Sequence, residues 1–146
     1  MADFIGPVRD WVMGVVQDGT TEPLAEAGLD PFAEVRKSWT GVVMNWPPAA
    51  VMARNTTFDP EGTSIHGMHE FTVKFGVNGA DPDQVADDAI AYMKAIDAAL
   101  TAATGTWLPA MSKVFVRMHD YGPLFQLDGK FGKFPELQLE VETYEV

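Results

Sequence analysis

The stretch His69-Glu70-Phe71-Thr72-Val73-Lys74-Phe75-Gly76-Val77, followed four residues on by Asp81-Pro82-Asp83-Gln84, decides how this chain is read. Phe71, Val73, Phe75 and Val77 alternate with Glu70, Thr72 and Lys74, the two-residue period of a strand with one apolar and one polar face. At Asp81 the period changes. Val85, Ala89, Tyr92, Met93, Ile96 and Leu100 recur at helical spacing as far as Ala103, and Asp83, Asp87, Asp88, Lys94 and Asp97 fall largely outside that stripe. Asp81 suits the N-cap, Pro82 the first helical position, and Gln84 the third position of a capping box.

Outward from this pair the same two periods recur. Lys113 to His119 reads as a strand with Val114, Val116 and Met118 on one face. Leu137 to Val146 sets Leu137, Leu139, Val141 and Thr143 against Gln138, Glu140, Glu142 and Tyr144. Upstream, Trp46-Pro47-Pro48 launches a strand over Ala49 to Thr57, near an edge because of its prolines. Phe58 to Gly67 reads as a polar loop, and Leu127 to Phe134 as a loop bearing glycine and phenylalanine. Phe4, Ile5, Val8, Trp11, Val12 and Val15 predict a helix over Asp3 to Gln17, with Asp3 as its cap. Asp30-Pro31 would cap a short helix through Ser38, turning Phe32, Val35 and Trp39 inward. The expected fold is a single α+β domain: an antiparallel sheet of about four strands with helices packed on one face, in the order α-β-β-α-β-β.

The chain has 146 residues, 47% of them hydrophobic, and a formal net charge of −11. That length suits one domain, and that hydrophobic fraction suits a packed core rather than an acidic disordered tail. The charge disfavours gripping nucleic-acid phosphates or docking on anionic lipid. With no cysteine, disulfides, thiolate nucleophiles and cysteine zinc sites are excluded. No apolar run approaches a membrane span and no secretory leader is evident, so a protein made in a cytoplasm and independent of membranes is expected.

Chemistry-bearing patterns are sparse. His66 and His69, three apart ahead of the strand, need a further ligand to hold a metal, and His119 lies on a different strand. Ordinary strand and loop histidines are the simpler reading. Asp87 and Asp88 diverge by about 100° on a helix. Glu140 and Glu142 share a strand face, where alternating polar residues facing solvent explain them. Phosphate-loop and nucleophile-elbow motifs are absent. No catalytic residue, metal or cofactor is therefore assigned. The aromatics Phe58, Trp107, Phe125, Phe131 and Phe134 fall in expected loops or segment ends, which favours self-association.

These landmarks resemble the tail terminator proteins of long-tailed (siphovirus-type) bacteriophages over roughly Trp46 to Val146. They are the proline-led strand Pro47-Pro48-Ala49-Ala50-Val51, the strand from His69 to Val77 and the helix from Asp81 with Tyr92-Met93-Lys94-Ala95-Ile96. Val114-Phe115-Val116 with Asp120-Tyr121-Gly122 and the closing Leu137-Gln138-Leu139-Glu140-Val141 complete the set. The resemblance implies a non-enzymatic virion protein of the neck. It would form a homohexameric ring on the last ring of tail tube protein, stop polymerisation, and join the head-closure or connector protein. DNA would pass through the lumen without being held. Head-closure, adaptor and tail tube proteins are the neighbouring alternatives, and a small α+β enzyme or ligand-binding module is a more distant one.

On that reading the interface residues are Phe58, Phe125, Phe131, Phe134, Lys130, Lys133 and Trp11. The carboxylates facing the lumen are Glu140 and Glu142 or Asp87 and Asp88. The charge is unevenly spread: residues 1–35 carry −6, residues 81–100 carry −4 and residues 135–146 carry −4, while 36–80 and 101–134 carry +1 and +2.

Overall fold

A computed structural model describes residues 5–40, 45–62 and 64–145. Its helices are α1 (Ile5–Gly14), which runs on into a π-helical turn at Val15–Gly19, the short α2 (Thr21–Glu26), and α3 (Pro82–Ala102). Its strands are β1 (Glu34–Arg36), β2 (Pro48–Glu61), β3 (Ser64–Phe75), β4 (Val77–Gly79), β5 (Met111–Asp120), β6 (Phe125–Leu127), β7 (Lys130–Lys133) and β8 (Glu136–Glu145). They form a five-stranded sheet in the order β1-β2-β3-β8-β5 and a three-stranded sheet in the order β4-β7-β6. The pair β1–β2 is parallel; the other pairs are antiparallel.

The expected four-stranded α+β sheet, with helices on one face and order α-β-β-α-β-β, is therefore corrected. The fold is mixed α/β and mostly sheet, with eight strands divided between two sheets among the described residues. Three local causes account for the difference. Most of the polar stretch from Phe58 to Gly67 is strand rather than loop, in β2 as far as Glu61 and in β3 from Ser64. It pairs residue for residue, Phe58 with Gly67 and Asp59 with His66, so β2 and β3 make one long hairpin. The strand expected through Val77 ends at Phe75, and Val77 opens the second sheet. Between them a Cβ on Gly76 would lie 2.6 Å from the Trp46 ring, so only glycine lets the indole cover the crossing. The stretch expected as the loop Leu127 to Phe134 contains most of a small hairpin, β6–β7. There Gly132 accommodates the Phe125 ring, which a Cβ would meet at 2.5 Å.

The upstream segments also differ. Asp30-Pro31 opens no helix; Phe32 is buried, and the chain then runs as β1 beside Pro48 to Ala50. The helix at Thr21–Glu26 carries too little periodicity to be legible, with only Leu24 buried. Asp3, expected to cap α1, lies outside the described residues.

α3 follows its sequence closely. The Asp81 carboxylate accepts the backbone N–H of Asp83 at 3.0 Å, with Pro82 behind it. Gln84 does not close the capping box; its amide donates to Asp88 instead, at 2.8 Å. The whole expected stripe is buried. It shares one core with Val8, Val12 and Val16 near the N-terminus and with Phe71, Val73, Phe75, Leu137, Leu139 and Val141 of the large sheet. The Tyr92 hydroxyl donates to the Asp30 carbonyl at 2.7 Å, tying the upstream segment to α3. Burial, reinforced by the charges of Asp30 and Asp88, pushes its pKa up to about 12.

Candidate functional site

Sheet geometry separates the three histidines. Alternation along β3 places His66 and His69 on opposite faces, so they cannot share a ligand. His69 is buried on the apolar face between two hydroxyls, Thr143 Oγ1 at 2.8 Å from Nε2 and Thr56 Oγ1 at 3.2 Å from Nδ1. Burial lowers its pKa below 6.5. His66 lies 3.6 Å from Glu142, and His119 lies 2.9 Å from Asp97. Among the described residues no group of three such side chains could hold a metal ion.

The carboxylates divide by environment. Glu140 was expected on a solvent face with Glu142, but it is only 3% exposed and accepts the Arg117 Nε–H at 2.9 Å. That hydrogen bond, helped by the surrounding glutamates, raises the Arg117 pKa. Arg117 also lies over the Phe115 ring, 4.4 Å from its centroid. Glu142 is half-buried beside His66. Asp87 is exposed and Asp88 partly so, both on α3. The acidic surface that meets solvent is thus better represented by α3 than by β8.

The aromatic residues singled out from sequence are drawn largely into their own chain. Phe134 packs against Trp39, Trp46 and Phe125, with Phe125 stacked on it at 4.6 Å. Phe131 packs against the core. Trp11 does likewise, and its indole N–H donates to Thr106 Oγ1 at 3.0 Å. Lys133 donates to the Gly122 carbonyl at 3.1 Å, while Lys130 is exposed. Phe58 stands apart. It is 45% exposed on the β2–β3 hairpin, with the His69 ring 6.1 Å away.

What sequence reasoning missed is the boundary of the large sheet. β5 is its last strand, ten residues long, and has no strand partner on its outer side among the described residues. At the other end β1 covers only Pro48 to Ala50 of fourteen-residue β2, which leaves Val51 to Glu61 without a strand partner on that side among the described residues. Two long open edges of this kind are templates for pairing with another chain. Beside β5, a groove of about 420 Å³ runs against α3 and its C-terminal turn, lined by Asp97, Leu100, Trp107, Val114 and Val116 among others. Asp97 Oδ1 and Trp107 Nε1 are buried there without a hydrogen-bond partner. The available sequence signal was the basic flanking of Lys113-Val114-Phe115-Val116-Arg117, a pattern that edge strands use.

No known family model matches this sequence, and no curated protein matches it. No helix among the described residues is long and apolar enough to cross a membrane.

Proposed function

We propose that this protein is a structural, ring-forming component of a virus particle, in the position of a phage tail terminator. The observation that carries the reading is the pair of unlike open edges at the two ends of one sheet. An edge that pairs with a different edge makes a head-to-tail contact, and such contacts generate rings when the rotation closes. The tail-terminator resemblance supplies the place of that ring, between the last tail tube ring and the head connector. Charge is compatible with the lumen such a ring needs. Exposed acids on α3, Asp83 and Asp87 among them, would repel DNA phosphates and let the duplex slide. Glu140 is less suited to that task, because Arg117 already neutralises it.

Native mass spectrometry with electron-microscope imaging of the purified protein tests the reading. The expected result is a discrete closed ring, six copies by the resemblance. A chain that remains monomeric at every concentration would overturn it.

A further inference from the structure

We propose that a second copy of this chain occupies the β5 edge, adding the unpaired stretch of its own β2 as the next antiparallel strand and seating Phe58 beside Val116 in the groove. The proposal rests on the ring reading and adds to it the surfaces and their alignment.

Strand direction permits it without rearrangement. β2, β3, β8 and β5 alternate in direction across the sheet, so β2 and β5 run opposite ways. A neighbour continuing the sheet in the same orientation therefore lays its β2 antiparallel to β5.

The faces also agree. Phe58 pairs with Gly67, in line with His69 and Phe71 on the apolar face. Val114 and Val116 pair with Val141 and Leu139 on that same face. Phe58 placed opposite Val116 then points towards the groove formed with Leu100 and Trp107. The lone exposed ring of the hairpin meets the concavity beside the other edge.

Charge selects the alignment. With Phe58 opposite Val116, Asp59 falls opposite Phe115 on the polar face, diagonal to both Lys113 and Arg117. Diagonal neighbours of this kind are within reach of long side chains. Towards the other end, Arg54 of the neighbour approaches Asp120. In the parallel alignment Arg54 falls beside Lys113 instead.

Two sets of variants test the pairing, each checked for its fold by circular dichroism. Asp59→Lys and Lys113→Glu, both at exposed positions, are each expected to weaken self-association at least tenfold in sedimentation. The double variant is expected to recover most of that loss. Because the native chain has no cysteine, Thr57→Cys and Met118→Cys on separate molecules report the contact directly, and a disulfide-linked dimer is expected only on mixing. A Met118→Cys protein that links to itself as readily as to Thr57→Cys indicates two-fold pairing of β5 and overturns the proposal. An oligomer unaffected by either charge reversal overturns it too, while leaving ring formation standing. A native chain that stays monomeric overturns both.

Discussion

In the half of the β2–β3 hairpin nearest its strand ends, Ala49 and Val51 lie opposite Phe75 and Val73, and all four are inaccessible to solvent. In the half nearest the turn, Thr57, Phe58, Asp59 and Pro60 are exposed, although the same two strands stay paired throughout, with one register shift between Ala53 and Asn55. The same ladder is core at one end and surface at the other. α1, α3 and the adjoining turn supply the apolar side chains that cover the first half. Among the described residues nothing comparable covers Phe58. A strand's alternation thus tells which way a side chain points, and a separate fact decides whether anything meets it there.

That comparison breaks most sharply at Phe71, the buried ring at the centre of the covered half. Phe71→Ala is expected to cost about 3–5 kcal/mol of unfolding free energy in denaturant titration, because the removed ring leaves a cavity in a close-packed core. At the boundary between the halves, Thr143→Val keeps the shape and removes the hydroxyl facing His69. With Nε2 left unpaired in a buried site, the expected loss is about 1–3 kcal/mol in the same titration.

His69 sharpens the boundary further through pH. Its native pKa lies below the 6.5 of the free side chain. Between those two values the unfolded chain binds the proton more readily than the native one. Stability therefore falls as pH drops below 6.5, and this contribution levels off beneath the native pKa. Thermal melts across that window are expected to show the slope, and His69→Gln to flatten it. The smallest stability effect is expected in the uncovered half. Phe58→Ser should leave unfolding free energy within about 0.5 kcal/mol of the native chain.

Much of this organisation was legible in the sequence. The stripe of α3, its Asp81 cap and the inward set Leu137, Leu139, Val141 and Thr143 all follow from short-range period and cap chemistry. What was not legible depended on partners distant in the chain. Most of the polar stretch from Phe58 to Gly67 became strand because each half of the hairpin is the other's template. Glu140 sits on the polar side of its alternation, as expected, but Arg117 and the flanking strands bury it. Met118 was expected beside Val114 and Val116; a register shift between Val116 and Met118 sends it to the opposite face, paired with Gln138. The open edges were invisible for the same reason, since a strand's place in the sheet is set by the whole topology.

That shift, with Arg117 as the extra residue, has a consequence at larger scale. A bulge coils its strand and rotates everything laid against it. If β5 is where one copy hands over to the next, the angle between copies is written partly into that single insertion. The number of copies that complete a circle would then be a property of local backbone curvature as much as of which side chains attract one another.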